Sequence, residues 1–176
     1  MPQLREVLGR PIVIIISACL YLISQIAIGY LLAPGNTSPV LLDFQLSYSA
    51  ENFVALFNSL SSEQINSLRV HFYIDFFHPL WYGTLFFSIV AWLLKLNGLQ
   101  QELNSLLYPV FFMAACDTIE NMFHYSRFYQ ISTPSDPWVS VAGFAATLKW
   151  ALVLSYIFLI GLLAIRYLLQ HYRQKR

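Results

Sequence analysis

The stretch PIVIIISACLYLISQIAIGYLL, from Pro11 to Leu32, contains no charged residue. An α-helix needs about 20 predominantly apolar residues to cross the hydrocarbon core of a bilayer, and this stretch is long enough. Arg5 and Arg10 precede it, as in a secretory signal, but the stretch is longer than a signal peptide's core, and LLAPGN at its end is a poor cleavage site. We therefore expect a retained membrane-spanning helix.

The composition of the whole chain agrees with a membrane protein. Of its 176 residues, 57% are hydrophobic, 16% are aromatic and 11% are charged, against about 25% charged in typical soluble domains. Three further apolar stretches, at residues 71–94, 105–128 and 139–168, are long enough to span a bilayer. We expect an all-α, polytopic bundle of four transmembrane helices that forms a single integral membrane domain over residues 1–176.

Charge and cysteine content exclude several classes of function. A net charge of +1 provides no basic surface for nucleic acid, so the expected partners are the lipid bilayer and a small hydrophobic ligand. A homo-oligomer is compatible with the sequence. Cys19 and Cys116 each lie alone in an apolar stretch, which indicates neither a disulfide nor a zinc motif. We expect no metal and no cofactor.

The distribution of Lys and Arg predicts the orientation of the chain. Only Arg69 and Arg127 fall on one side of the four predicted spans, and Lys149 lies within the last one. The other side collects Arg5, Arg10, Lys95, Arg166, Arg173, Lys175 and Arg176. By the positive-inside rule both termini are cytoplasmic, and in a bacterial plasma membrane the long connection at residues 35–70 faces the periplasm.

This connection has helical features of its own. In SAENFVALFNSL, residues 49–60, apolar side chains recur at helical spacing, which predicts a short amphipathic helix between the first and second spans. The following SSEQ has the pattern of a capping box, in which Ser61 and Gln64 cap a helix start. We expect the helix that starts here to continue unbroken into the second span, with His71 at the membrane interface.

Polar side chains in the predicted spans are arranged in stripes. In YIDFFHPLWYG, Asp75, His78 and Tyr82 have the spacing i, i+3, i+7, and Pro79 leaves a backbone carbonyl free near Asp75. In DTIENMFH, a second stripe has the spacing i, i+3, i+4, i+7 and consists of Asp117, Glu120, Asn121 and His124. Lys149 is the one charge in the body of the fourth span. Alternate crossing of the membrane brings these groups to similar depths, so we expect one shared cluster around a cavity.

The candidate roles follow from the chemistry of these side chains. Buried carboxyl and imidazole groups can exchange protons with a substrate, so the candidate catalytic residues are Asp75, His78, Asp117 and Glu120. The candidate ligand-binding residues are Tyr82, Asn121, His124, Lys149 and Trp150. Because three acids face one lysine, the remaining acids need protons, protonated histidines, or a cation or cationic ligand.

Several functions are compatible with such a cluster. One is the binding or acid/base transformation of a small lipid-like or amine molecule. Another is a purely structural role in an accessory membrane subunit, since buried polar contacts also fasten membrane helices together. A third is a proton-coupled carrier, for which four spans would require an oligomer. A metal site on the same acids and histidines has little support, because no HExxH or His-rich spacing is present.

The four predicted spans, the long connection after the first and the YIDFFHPLWYG stretch together resemble the EXPERA-type membrane proteins. This group includes sterol isomerases and sigma-2-receptor-like ligand-binding proteins, which enclose an apolar cavity with buried acids. The resemblance implies a lipid-like or amine ligand held by intramembrane acids. The His and two Glu of the isomerase pattern have no position-by-position match here, so no catalytic residue follows from the resemblance.

Overall fold

The computed structural model describes residues 2–129 and 133–175, and 86% of these described residues are helical, with no strand among them. Within these ranges the α-helices are α1 (Pro2–Leu8), α2 (Pro11–Leu32), α3 (Thr37–Gln45), α4 (Ala50–Ser59), α5 (Ser62–Asp75), α6 (His78–Leu96), α7 (Tyr108–Phe128) and α8 (Asp136–Gln174). Two short 3₁₀ turns, Pro34–Asn36 and Asn104–Leu107, precede α3 and α7. The prediction of an all-α protein is confirmed.

In the described part of the chain, three helices are long and apolar enough to cross a membrane: α2, α6 and α8. They indicate a membrane protein. Helix α7, the predicted third span, has 21 residues but is less apolar, because Asp117, Glu120, Asn121 and His124 all lie within it. The same four side chains are buried, so α7 directs its polar residues toward the interior of the protein.

The connection between α2 and α6 is almost entirely helical. The predicted amphipathic helix is present as α4, and Phe53 on its inner face is completely buried. The capping box is confirmed: Gln64 donates from its backbone N–H to Ser61 Oγ at 3.2 Å, and Ser61 N–H donates to Gln64 Oε1 at 3.0 Å. Helix α3 was not predicted from the sequence.

The predicted unbroken helix into the second span is wrong. Helix α5 ends at Asp75 and α6 begins at His78, with Phe76 and Phe77 between them in the right-handed helical region. Pro79 causes the break, because it has no N–H to donate to the carbonyl of Asp75 and its ring crowds that carbonyl. The result is a kink that places Asp75 on one helix and His78 on the next.

The helices pack around two apolar cores. One core lies where α6, α7 and the second half of α8 meet, and it includes Phe87, Leu94, Met113 and Leu163. The other joins α2, α3, α4, α5 and α7 and includes Leu32, Phe44, Phe53, Leu68, Phe72 and Phe128. Across their described residues, α2 packs on α5 and α6, whereas α2 and α8 have almost no direct contact.

The turn between α3 and α4 is fastened to the first part of α8. Ser140 Oγ donates to the backbone carbonyl of Tyr48 at 2.7 Å, and the backbone N–H of Ala50 donates to Asp136 Oδ1 at 2.8 Å. A Cβ at Gly143 would collide with the carbonyl oxygen of Ser47, so a glycine is needed where α8 meets this turn. These contacts hold α3 across one end of the space between α2 and α8.

Candidate functional site

A buried lysine centre, formed by Lys149, Asp117 and Glu120, joins α7 to α8. Lys149 Nζ lies 2.6 Å from Glu120 Oε2 and donates to Asp117 Oδ1 at 3.1 Å. Two neutral side chains complete the shell of Asp117: Tyr82 OH donates to its Oδ2 at 2.8 Å, and Asn121 Nδ2 donates to its Oδ1 at 3.3 Å. Asp117 therefore accepts hydrogen bonds from three donors. The negative charge of Glu120 is stabilised mainly by its contact with Lys149.

The carboxylate of Asp75 is buried beside this centre without a lysine or arginine of its own. Its side chain is 8% exposed, and its one salt-bridge contact among the described residues is His71 Nε2 at 3.8 Å. The backbone carbonyl of Asp75, freed by Pro79, accepts a hydrogen bond from Asn121 Nδ2 at 3.2 Å. The kink is thus fixed by α7, while the carboxylate itself is left at the wall of a cavity.

His78 contacts the first membrane helix. Its Nδ1 lies 2.8 Å from Ser24 Oγ, and its ring centroid lies 5.4 Å from the ring centroids of both Tyr21 and Tyr82. The Ser24 hydroxyl also donates to the carbonyl of Tyr21 at 2.9 Å. With its single proton used there, Ser24 can accept a hydrogen bond from a protonated Nδ1 of His78, and in that tautomer Nε2 carries the free lone pair.

His124 occupies a different environment, in the apolar core. Its ring is stacked on Phe72, with centroids 5.1 Å apart, and on Phe53 at 5.9 Å. Its Nδ1 lies 3.9 Å from Glu120 Oε1. His124, Glu120 and Asn121 are fully buried and lie behind the cavity wall, so they support the residues that reach the cavity but do not border it themselves.

A cavity of about 410 Å³ lies in front of these residues, between α2 and α8. Six of the nine predicted site residues border it: Asp75, His78, Tyr82, Asp117, Lys149 and Trp150. Its wall is otherwise mostly apolar, with side chains that include Ile28, Leu32, Leu41, Phe86, Val153 and Ile157. The cavity therefore has a polar end and an otherwise mostly apolar wall.

The polar residues of the cavity wall that sequence reasoning missed include His71, Gln25 and Gln45. His71 was expected at the membrane interface, but it is buried, 2% exposed, and faces Asp75. Its spacing of i, i+4 from Asp75 was the available signal. Gln25 is the one amide in the stretch from Pro11 to Leu32, which is a second signal.

One side of the cavity opens along the groove between α2 and α8. Trp150 and Ile157 on α8 are 44% and 55% exposed, and Trp150 Nε1 donates to Gln45 Oε1 at 3.4 Å. On the opposite wall, a Cβ added to Gly29 would meet no atom within 4 Å. The groove is therefore bordered by a residue without a side chain on α2 and by exposed apolar surface on α8.

The side chains of the site can bind a cation or exchange protons. Carboxylates at Asp75 and Asp117, a lone-pair nitrogen on His78 and the ammonium of Lys149 all border one cavity. In the described part of the chain, no group of three or more His, Cys, Asp and Glu side chains is placed to hold a metal ion. The side chains that border the cavity can take part in charge pairing, hydrogen bonding and proton transfer.

Comparison with known proteins gives no match to this chain, whether with protein-family models, with curated proteins or with solved structures. The resemblance to EXPERA-type proteins therefore stays a prediction.

Proposed function

We propose that this protein is a multi-pass membrane protein that binds a small hydrophobic molecule with a basic amine in the cavity between α2 and α8. The observation that carries the proposal is the position of Asp75. Its carboxylate borders a mostly apolar cavity, is nearly buried, and has only His71 as a salt-bridge contact among the described residues. An apolar ligand with an ammonium group complements both properties of this space.

The size of the cavity supports a ligand of small-molecule dimensions. Pockets for cofactors and drug-sized ligands usually have volumes of about 300–1,000 Å³, and this cavity has about 410 Å³. Such pockets are typically apolar with a few polar groups that orient the ligand. Here the orienting groups are Asp75, His78 and Tyr82.

The charges near the cavity support a cationic group on the ligand. Lys149 provides one positive charge, and its ammonium contacts Asp117 and Glu120. The third acid, Asp75, lies outside this centre, and a buried carboxylate without a cation is costly unless it takes up a proton. The ammonium group of a bound amine would supply the missing positive charge next to Asp75.

The proposal includes four membrane spans, with α7 as the fourth beside α2, α6 and α8. Helix α7 is less apolar than the others, but its polar residues are buried against α6 and α8, so its lipid-facing surface includes Phe111, Phe112, Ile119 and Met122. The excess of Lys and Arg at one end of the bundle supports an orientation with both termini in the cytoplasm. A lipid-like or amine ligand is also what the resemblance to EXPERA-type proteins implies.

The same groups would serve acid/base chemistry if the bound molecule is transformed. Asp75 and His78 border the cavity from either side of the kink and could transfer a proton to or from a ligand lying there. The lysine centre would hold the negative charge of Asp117 in place next to it. Transformation would be visible as a second molecule of altered mass that co-purifies with the first.

A structural role is the second candidate, and the lysine centre favours it. Lys149 binds Asp117 and Glu120 across the contact between α7 and α8, as a fastening between two membrane helices would. Such a fastening accounts for these three residues. It does not account for the buried carboxyl group of Asp75 or for the cavity in front of it.

The test compares Asp75→Asn with Asp43→Asn, which removes an exposed acid of α3 that does not border the cavity. Melting curves in neutral detergent are recorded with N,N-dimethyldodecylamine or with 1-dodecanol, which has the same chain without the charge. We expect the amine to raise the melting temperature of the wild type and of Asp43→Asn, but not of Asp75→Asn, and the alcohol to have a smaller effect on all three.

Two results would contradict the proposal. If the amine stabilises Asp75→Asn as much as the wild type, the carboxylate does not bind the ligand. If Asp75→Asn melts well below the wild type while the small molecules extracted from it and identified by mass spectrometry are unchanged, the residue has the structural role of the second candidate.

A further inference from the structure

A second cavity of about 550 Å³ lies at the far end of α6 and is lined by basic side chains. Arg5 on α1, Arg10 before α2 and Lys95 near the end of α6 border it, and we call it the basic groove. At about 1.5 Å per residue, Lys95 lies roughly 25 Å along α6 from His78. The basic groove is therefore separate from the cavity that contains Asp75.

The backbone between α1 and α2 brings these charges together. A Cβ at Gly9 would lie 3.3 Å from Ala91 Cβ and 2.7 Å from the carbonyl oxygen of Arg5, so the turn packs tightly on α6 only because residue 9 has no side chain. This close contact places Arg5 and Arg10 on either side of the turn, next to the last turns of α6.

The described residues balance only part of the positive charge in the basic groove. Arg5 donates from Nη1 to the carbonyl of Gln100 and to Asn104 Oδ1 at 3.1 Å, and both acceptors are uncharged. Salt bridges between the described residues do not include Arg5, Arg10 or Lys95. Glu6 is the one acid that lines the groove, so three cations exceed it by two charges.

The basic groove also lies where two apolar helices end. Arg10 immediately precedes the apolar residues of α2, and Lys95 lies at the end of those of α6. If α2 and α6 both cross the bilayer, the basic groove lies at the depth of the lipid headgroups. Trp92, which lines the groove one turn before the end of α6, is a residue type enriched at that level.

We propose that the basic groove binds the phosphate-bearing headgroup of an anionic phospholipid such as phosphatidylglycerol. Arg10 and Lys95 provide the charge, because cations beside a membrane helix attract anionic headgroups, and basic pockets between such helices bind them specifically. Arg5 is fixed by its two hydrogen bonds and presents its remaining N–H groups. Exposed Ile12, Ile15 and Ile16 on α2 continue from the groove and offer an apolar surface to the acyl chains.

The test measures lipid binding to the whole protein in a neutral detergent by native mass spectrometry, with phosphatidylglycerol, phosphatidylcholine and inorganic phosphate as separate probes. The double variant Arg10→Gln, Lys95→Gln removes two charges of the groove. Arg10 makes no side-chain capping bond to α2, so its loss leaves the helix start intact. The matched control, Arg173→Gln, Lys175→Gln, removes two exposed charges from the end of α8.

We expect the first phosphatidylglycerol to bind the wild type and the control with equal affinity, and the groove variant about 30-fold more weakly, as the loss of two interfacial cations predicts. Phosphatidylcholine should bind all three alike. The proposal is overturned if the control loses as much affinity as the groove variant, since attraction would then be diffuse, or if the groove variant binds like the wild type. Competition by inorganic phosphate at equal concentration would identify a free phosphate site in place of a lipid site.

Discussion

Asn121 donates a hydrogen bond from Nδ2 to the backbone carbonyl oxygen of Asp75 at a distance of 3.2 Å. In an unbroken helix this carbonyl would accept from the N–H of residue 79, and Pro79 has none. A side chain of α7 therefore replaces the hydrogen bond that the kink between α5 and α6 removes. Because Asn121 also donates to Asp117 at 3.3 Å, the kink and the lysine centre are held in one arrangement.

The first prediction concerns this replacement. Asn121→Ala should lower stability in detergent by about 1–3 kcal/mol, because it leaves a buried carbonyl without a donor. In a Pro79→Ala background, residue 79 regains an N–H that can bond the carbonyl of Asp75, so the same substitution should cost less. Melting curves of the wild type, both single variants and the double variant measure the difference. An equal cost in both backgrounds would show that the carbonyl is not what Asn121 stabilises.

The helices that could be predicted from the sequence are those with strong local signals. The apolar stretch from Pro11 to Leu32 coincides with α2, since length and hydropathy alone define it. The capping box at Ser61 consists of hydrogen bonds within four residues, so it can form without a distant partner in the chain. Helix α3, in contrast, lies in a stretch without a clear apolar period and is held by contacts with α8 that the local sequence does not specify.

The candidate site could be predicted from the sequence only in part. Helical spacing places Asp117, Glu120, Asn121 and His124 on one face of α7, and the structure buries all four. Spacing within one helix does not reveal which neighbour covers each turn. Packing of α4 and α5 against the last turns of α7 puts His124 between two Phe rings, whereas Asp117, two turns earlier, reaches the cavity.

A second prediction concerns the lysine centre. Lys149→Met should lower stability by about 3–5 kcal/mol, because it leaves buried carboxylates without their cation. Adding Glu120→Gln should recover more of the loss than adding Asp117→Asn. The reason is that Asp117 keeps hydrogen bonds from Tyr82 and Asn121 when the lysine is removed, whereas Glu120 loses its contact of 2.6 Å with Nζ.

Thermal melting of the single variant and of the two double variants in the same detergent shows which second substitution recovers more stability. Greater recovery with Asp117→Asn would mean that its neutral donors do not stabilise the carboxylate. No recovery with either partner would mean that Lys149 stabilises the protein through its contact with the Trp150 ring, at 5.4 Å, and not through the acids.

The last prediction concerns access to the cavity from the bilayer. Gly29 and Gly161 are both helical glycines around which an added Cβ would meet no atom within 4 Å. Only Gly29 borders the cavity, in the groove between α2 and α8. A Phe at either position faces open space, so neither Gly29→Phe nor Gly161→Phe should lower the melting temperature, and loss of a helix-interior glycine favours both helices by a few tenths of a kcal/mol.

The two variants should differ in ligand binding. A Phe side chain at residue 29 would project into the groove opposite Trp150 and Ile157, where it narrows the opening and occupies part of the cavity. We expect N,N-dimethyldodecylamine to stabilise Gly161→Phe as it does the wild type, and Gly29→Phe much less. Equal stabilisation of both variants would mean that the amine neither enters through this groove nor lies against α2, and the binding site would then have to be sought elsewhere than in front of Asp75.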